Sequence, residues 1–552
     1  MRLTGSRILA LWFFVLLIQA GRAQDLQTKF DQRGLVRLSY RGAVLVDLDA
    51  GLGDAFSVGG YKLGDKAGGW GANGKKAEWS AAERVLTWTW DWGSVACRFD
   101  VPLDKNEVRM RITVANESAL DLHEINVYPL GLKFPQLPSG FGAPNYPQFR
   151  NNLDGPAVLE ADYGSGLMVL ADEDAKPLYV GLSPSGQANH YQIQVGTAND
   201  SSEGYLAKAV PVNRTILAGK TEQFSIVLRF GPPGTKSRDI AKDVLKNYGQ
   251  AWPQILKWDD RRPIGELFMT NPTTSPISGE SPNPRNYTVA KGIDIRTPEG
   301  VANFRKSVLA YAENSVRILK SMTAQGAIVW DIEGQQFPQP DTSYVGDPRQ
   351  LAKLSPEMDG VADAFFKTFT DAGLKCGVTI RPQRLDSSSS TPVQKDVAGA
   401  QQAASLIEKM SYARKRWGCT IFYVDSDGGP LDATAPAVFA EVQKALPDIL
   451  VIPENIWPKD HAYTAPLASF TAPYKPLHTP ADVQAIWPHA FTVTYVGDAP
   501  NGDLKNNPKN PGQWAEFVRA VRSGDILSFR AWFDDSVLNR QVREIYAEAG
   551  RR

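Results

Sequence analysis

Two carboxylates in the second half of the chain follow directly on short runs of apolar residues. Asp425 comes after Ile-Phe-Tyr-Val, and Glu454 comes after Leu-Val-Ile-Pro. Glycoside hydrolysis needs such a pair: one carboxylate attacks or activates water, and one carboxylic acid protonates the leaving oxygen. An acidic residue can instead cap a helix N-terminus, but that explanation suits a residue directly after a strand poorly. Asp425 and Glu454 are therefore the candidate reactive pair.

Side-chain parity indicates where these carboxylates point. Successive side chains of a strand alternate between opposite faces, so Tyr423 and Asp425 share one face, as do Ile452 and Glu454. If the two runs are neighbouring strands of one barrel, both carboxylates project into its mouth. Their carboxyl groups can then lie at the ~5–5.5 Å separation of retaining glycosidases.

Other polar and aromatic residues that follow apolar runs are suited to binding a sugar. Sugars present pairs of hydroxyl groups and an apolar ring face, which carboxylates, guanidinium groups and aromatic rings recognise. We expect substrate positioning from Asp331, Arg381, Asp427 and Arg530, with stacking on Trp330 or Trp457. The alternative for Asp331 and Arg381 is an ion pair between adjacent strands. Asp427 also suits a helix N-cap.

The elements that must position these residues form a regular series from residue 263 to residue 552. Eight apolar segments, most of them separated by helical patterns, are predicted strands: 265–270, 326–331, 375–381, 419–425, 449–454, 468–472, 490–496 and 525–530. Helices are predicted between them at 301–323, 358–372, 397–417 and 435–446. This rhythm predicts a (β/α)₈ barrel, whose active site forms where the strands end. A doubly wound open sheet is the rival, but no glycine-rich dinucleotide turn follows a strand.

The first half of the chain reads as strands separated by turns, which predicts an all-β sandwich over residues 24–235. Alternation is clearest at 108–114, where Val, Met, Ile and Val alternate with Arg, Arg and Thr. Five tryptophans between residues 70 and 92 are suited either to stacking on sugars or to core packing, and packing is favoured. Residues 236–262 are a predicted helical linker whose apolar residues, such as Leu256 and Trp258, require burial.

The N-terminus has the pattern of a secretory signal. Arg2 and Arg7 precede an apolar run at 8–18, and Gly21-Arg-Ala supplies small residues for cleavage near residue 23. The run is shorter than the ~20 residues of a transmembrane helix. We therefore expect residues 1–23 to be a signal peptide and the mature protein to be periplasmic or extracellular, without stable membrane insertion.

Composition excludes several partners. Lys plus Arg and Asp plus Glu both number 60, so the chain lacks the excess of basic residues that is typical of a nucleic-acid-binding protein. The three cysteines, Cys97, Cys376 and Cys419, and the five histidines show no metal-ligand spacing. The cysteines are interpreted as small buried hydrophobes, with a single Cys376–Cys419 bridge as the alternative. No metal and no other cofactor is expected, and the expected partner is a carbohydrate.

These motifs resemble those of a known enzyme group. A β-sandwich followed by a barrel, with Tyr-Val-Asp425 closing strand four and Pro-Glu454 closing strand five, resembles retaining α-glycosidases of the endo-α-N-acetylgalactosaminidase type and, more distantly, the α-galactosidases. The resemblance implies that Asp425 is the nucleophile and Glu454 the general acid/base. The chain departs from the α-galactosidase pattern, which has a lysine two residues before the nucleophile and its acid on strand six. Tyr423 occupies the lysine position, and if Asp427 were the nucleophile, Asp425 would occupy it.

Three functional hypotheses follow from these observations. The first is a glycoside hydrolase that acts on α-linked glycans by a retaining two-carboxylate mechanism. The second is a hydrolase with another linkage specificity or stereochemistry. The third is a non-catalytic carbohydrate-binding surface protein on a glycosidase-like barrel. The third predicts neutral residues at the strand ends, where this sequence has carboxylates.

Overall fold

A computed structural model describes most of the chain beyond the N-terminal segment. The described residues are 25–68, 76–138, 150–151, 158–174, 178–197, 214–270, 278, 280–336, 345–386, 393–397, 399–426, 435–455, 458–469, 478–497, 503–508, 511–531 and 537–551. The chain divides into two compact units, residues 1–248 and residues 249–552. The predicted signal peptide lies outside the described residues. No helix in the described part of the chain combines the length and apolar character that a membrane span requires.

The first unit is built from antiparallel sheets. Its strands are β1 (Leu26–Asp31), β2 (Gly34–Tyr40), β3 (Ala43–Asp47), β4 (Ser57–Leu63), β5 (Lys66–Gly68), β6 (Lys76–Ser80), β7 (Val85–Trp90), β8 (Gly93–Asp100), β9 (Glu107–Asn116), β10 (Leu122–Tyr128), β11 (Gly131–Lys133), β12 (Arg150–Asn151), β13 (Val158–Asp162), β14 (Leu167–Asp172), β15 (Tyr179–Pro184), β16 (His190–Gly196) and β17 (Thr221–Gly231). One sheet has the order β1-β2-β3. Two seven-stranded sheets have the orders β12-β15-β16-β10-β4-β5, with β11 on β16, and β13-β14-β17-β9-β8-β7-β6. The sheet-rich first half is therefore confirmed.

Apolar side chains of both seven-stranded sheets belong to one buried core. Strand β9 shows why: its alternate residues Val108, Met110, Ile112 and Val114 are fully buried, as the alternation predicted. Burying such side chains is worth about 1.5–3 kcal/mol each, which fixes the register of the strand. The tryptophans at 79, 88, 90 and 92 also lie in or against this core, which favours packing over sugar stacking. Trp70 lies outside the described residues.

Short helices follow the last strand of the first unit: α1 (Ser237–Ile240) and α2 (Lys242–Ala251). Val244 of α2 is buried against Val169 and Val227 of strands β14 and β17. Leu256 and Trp258 are buried among the core residues of the second unit. Leu256 and Trp258 of this predicted linker are thus buried, as their hydrophobicity requires.

The second unit contains a parallel barrel that is nearly closed. Its strands are β18 (Ile264–Phe268), β19 (Gly326–Trp330), β20 (Lys375–Ile380), β23 (Ile421–Val424), β24 (Leu450–Pro453), β25 (Leu467–Ser469), β26 (Val493–Tyr495) and β27 (Ile526–Arg530), while β21 (Arg384–Asp386) and β22 (Val393–Lys395) form a separate hairpin. The barrel order is β24-β23-β20-β19-β18-β27-β26-β25. The amide of Ala465, just before β25, donates to the carbonyl of Val451 in β24 at 3.0 Å. Each of the eight predicted strands overlaps one of these barrel strands. The seventh is shorter than predicted, beginning at Val493, and residues 470–472 of the sixth lie outside the described residues.

The helices of this unit are α3 (Pro298–Ser321), α4 (Leu351–Leu354), α5 (Pro356–Asp371), α6 (Gly399–Trp417), α7 (Ala435–Ala445), α8 (Ala481–Ile486), α9 (Gln513–Ser523) and α10 (Val537–Glu548). Helix α3 begins at Pro298, three residues before the predicted start at residue 301. Thr297 caps it by accepting a bond from the Gly300 amide, and proline is favoured at the first helical position. Short 3₁₀ helices cover Leu48–Ala50, Thr288–Ala290, Pro348–Gln350 and Pro458–Ala462.

The interior of the barrel confirms the predicted parity. Tyr423 and Ile452 share one buried cluster with Ile328 and Ile264 from the other strands. The sulfurs of Cys376 and Cys419 lie 3.8 Å apart in a fully buried position. Both thiols are free, because a disulfide requires about 2.05 Å between the sulfurs. These cysteines therefore pack as small hydrophobes in the present structure.

Candidate active site

Four charged residues stand directly after consecutive strands of the barrel. Ile380 is in register with Val424, and Val424 with Pro453. The residues that directly follow these three positions, Arg381, Asp425 and Glu454, are therefore also neighbours. The amides of Asp425 and Glu454 donate to the carbonyls of Ile380 and Val424 at 2.9 Å each. Parallel register thus brings Arg381, Asp425 and Glu454 to one edge of the barrel, with Asp331 after the neighbouring strand β19.

The carboxylate of Asp425 is held through a single oxygen. Oδ2 accepts bonds from Nε of Arg381 at 2.7 Å, from Nη2 of Arg381, and from Oγ of Ser426 at 3.3 Å. Both charged partners are largely buried, so solvent screens this ion pair little. Within the described residues no partner is bonded to Oδ1. The arrangement anchors the Asp425 carboxylate at Oδ2.

Ser426 connects the two candidate carboxylates. Its amide donates to Oε2 of Glu454 at 2.9 Å, while its hydroxyl donates to Asp425. The Ser426 backbone has a φ of 55°, in the left-handed region. That conformation costs a non-glycine residue of order 1 kcal/mol or more. The strained turn is what directs the amide of Ser426 toward Glu454, a role that its position in the sequence did not predict.

Asp331 is buried and shares the left-handed backbone conformation, with a φ of 56°. Its Oδ2 accepts a bond from the hydroxyl of Thr270. Burial raises the pKa of Asp331 to about 6, and the charge of Asp425 adds to this effect, while Thr270 and the charge of Arg381 oppose it. The carboxyl of Asp331 therefore ionises at a higher pH than an ordinary aspartate.

Glu333 is a second buried carboxyl at the end of β19. Oε1 accepts a bond from the amide of Asp347 at 2.8 Å. Burial raises its pKa to about 7, and the charges of Asp347 and Asp331 add to the effect. Arg349 neutralises Asp347 through two bonds of 2.8 and 2.9 Å. Glu333 is in the sequence motif Trp-Asp-Ile-Glu, but its burial was not predicted.

Trp330 and Arg530 have partners within the barrel. The Trp330 ring stacks on Phe268 with 5.2 Å between centroids and lies 4.7 Å from the ring of Tyr423. It therefore belongs to the top layer of the barrel interior. Nε of Arg530 donates to the hydroxyl of Tyr495 at 3.0 Å, which links the ends of β27 and β26.

The structure brings together the predicted residues Asp331, Arg381, Asp425 and Glu454. Arg381 bonds to Asp425, whereas the alternative to substrate positioning was an ion pair of Arg381 with Asp331. Asp427 and Trp457 lie outside the described residues. Among the described residues, no group of three or more His, Cys, Asp or Glu side chains is arranged to hold a metal ion.

Comparison with known proteins defines the fold. No family model matches the chain, and no curated protein sequence matches it. The α-N-acetylgalactosaminidase NagBb of Bifidobacterium bifidum in complex with GalNAc is similar, with a TM-score of 0.55 and 10% identity over 95% of this chain and 92% of that chain. The structure of NagBb in complex with Gal-NHAc-DNJ has a TM-score of 0.54 and 9% identity, over 96% of this chain and 92% of that chain. An α-galactosidase from Lactobacillus brevis has a TM-score of 0.46 and 11% identity, over 96% and 73%. The similarity to NagBb shows a shared fold.

Proposed function

We propose that the protein is a glycoside hydrolase that acts on α-linked glycans by a retaining mechanism. Asp425 is the nucleophile and Glu454 the general acid/base. The observation that carries the proposal is the shared bonding of both carboxylates to Ser426 at the ends of adjacent barrel strands. Barrel active sites form at this edge. The fold shared with an α-N-acetylgalactosaminidase supports the choice of α-linked substrates.

The bonding of Asp425 supports a different proposed role for each of its oxygens. Oδ1 attacks the anomeric carbon while Glu454 gives its proton to the departing glycosidic oxygen, so the glycosidic bond breaks and a glycosyl ester forms. In the second step Glu454 removes a proton from water, water attacks the anomeric carbon, and the ester bond to Oδ1 breaks. Arg381 keeps Oδ2 in place throughout, because its guanidinium donates two bonds to that oxygen.

Substrate positioning is proposed for the remaining charged residues at the strand ends. Asp331 directly follows strand β19 and Arg530 is the last residue of β27, and these two strands lie on either side of β18 in the barrel order. In the sequence, Asp427 comes three residues after the end of β23. Carboxylates and guanidinium groups there suit pairs of sugar hydroxyls. Arg381 is also proposed to position substrate, from the end of β20, where its guanidinium bonds to Asp425. Trp330 or Trp457 is the proposed stacking platform.

We also propose that the protein is exported, because residues 1–23 have the pattern of a signal peptide. N-terminal sequencing of the protein from fractionated cells tests this. A mature N-terminus near residue 24 in the periplasm or medium is expected. An intact Met1 in the cytoplasm would contradict it.

The decisive experiment is an assay of the purified protein on aryl α- and β-glycosides, including N-acetylgalactosaminides. NMR of the first-formed product identifies the anomer, and retention is expected. Asp425→Asn should lower kcat at least about 10⁴-fold. The matched control is Asp371→Asn, which removes an exposed carboxylate at the end of α5. Sugar binding without turnover in the wild type would favour the non-catalytic alternative, and an inverted product would exclude the nucleophile role.

A further inference from the structure

Lys409 is a charged residue in the middle of helix α6 with no exposed surface. Lysine is almost never fully buried unless its ammonium group is bonded. Here Nζ donates to the backbone carbonyls of Arg381 at 2.6 Å and Gln383 at 2.7 Å. The helix therefore places a cation against the turn that follows strand β20.

This turn supplies two contacts to the end of strand β23. The side chain of Arg381 bonds to the Asp425 carboxylate, and Nε2 of Gln383 donates to the carbonyl of Ser426 at 2.7 Å. Both contacts depend on the backbone position of residues 381–383. A shift of this turn would move Oδ2 of Asp425 and the amide of Ser426, and the latter bonds to Glu454.

The same turn is held from a second direction by Gly346. The amide of Arg381 donates to the Gly346 carbonyl at 3.0 Å. A Cβ at Gly346 would lie 2.6 Å from the Arg381 nitrogen, which is closer than real Cβ contacts. The backbone of Arg381 thus lies between Gly346 and Lys409.

We infer that Lys409 is a positioning residue for the proposed hydrolysis: it fixes the 381–383 turn, and through it the geometry of Asp425 and Ser426. This inference rests on the proposed function. Burial lowers the pKa of Lys409 to about 8, and the charges of Asp347 and Glu333 oppose this effect, while Arg349 and Arg381 add to it. The ammonium form therefore predominates at neutral pH and supplies charged donors to both carbonyls.

The test measures kcat and KM of three variants: Lys409→Met, Lys409→Arg and the matched control Lys415→Met. Lys415 is an exposed lysine on the same helix. A misplaced nucleophile is expected to lower kcat of Lys409→Met by about 10²-fold. KM should change less than about threefold, because Lys409 does not contact substrate. Lys409→Arg keeps a permanent cation with several donors and should recover most of the lost kcat.

The outcomes separate the inference from the proposed function. A wild type and a Lys415→Met variant without glycosidase activity would overturn the proposed function and the inference with it. An active wild type with a folded Lys409→Met variant of unchanged kcat would overturn the inference alone. If Lys409→Met does not fold, Gln383→Met tests whether the 381–383 turn positions Ser426. This variant loses the side-chain bond to the Ser426 carbonyl, while the backbone carbonyl of residue 383 still accepts from Lys409. A lowered kcat of Gln383→Met supports the inference, and an unchanged kcat overturns it.

Discussion

The backbone nitrogen of Ser426 lies 2.9 Å from Oε2 of Glu454. This bond joins the ends of two neighbouring barrel strands and sets the orientation of the proposed acid/base. Because Ser426 follows Asp425 directly, a single residue in a left-handed conformation relates the two carboxylates to each other. The geometry of the pair therefore depends on this turn as well as on the strands.

Glu454→Gln should impair hydrolysis according to the leaving group. Natural glycosides, which need protonation of the departing oxygen, should lose about 10²–10⁴-fold in kcat/KM. Aryl glycosides with acidic leaving groups should lose much less in the first step. Kinetics on a series of aryl glycosides measures this dependence. An equal loss for every leaving group would rule out Glu454 as the general acid.

Asp331→Asn should remove one pH dependence of substrate capture. The wild-type carboxyl has a pKa of about 6, so its ionised form, the better acceptor for sugar hydroxyls, accumulates as pH rises through 6. The ratio of wild-type to variant kcat/KM should therefore rise through pH 6 to a plateau of about 10–10²-fold. A ratio that does not vary with pH would show that Asp331 does not bind substrate as a carboxylate.

Glu333→Gln should stabilise the fold at high pH. The folded-state pKa is about 7 against an ordinary 4.5, so the folded state binds the proton more tightly and the wild type loses stability as pH rises from 4.5 to 7. The neutral amide avoids this loss. Denaturation at pH 4 and pH 8 should show little difference at pH 4 and a gain of up to about 3 kcal/mol at pH 8. A smaller gain at pH 8 than at pH 4 would contradict the assignment.

Two glycine substitutions should have opposite effects. Gly346→Ala places a methyl group against the Arg381 nitrogen at a φ of 65°, and should lower the free energy of unfolding by about 1–3 kcal/mol. Gly360 lies in helix α5, and a Cβ added there by Gly360→Ala would meet open space. This substitution should raise that free energy by about 0.5–1 kcal/mol. Chemical denaturation of both variants measures the difference, and a tolerated Gly346→Ala would show that the 381–383 turn can move.

Much of the fold follows from patterns between neighbouring residues. The strands and the inward face of Tyr423 and Asp425 could be predicted because alternation is a local property of a strand, and burial of alternate side chains enforces it. The candidate carboxylates follow from the same pattern, since parallel strands end at one edge of a barrel.

The partners of these groups depend on the tertiary structure. Arg381 and Asp425 are 44 residues apart, and Lys409 is 28 residues from Arg381. No local pattern specifies which carboxylate the Arg381 guanidinium bonds to. Nor does one specify that Lys409, in an amphipathic helix, is buried. Those pairings depend on barrel register and helix packing, which alone bring such distant groups together and remove them from water. Burial in turn raises the pKa of Asp331, because a desolvated carboxyl favours its neutral form.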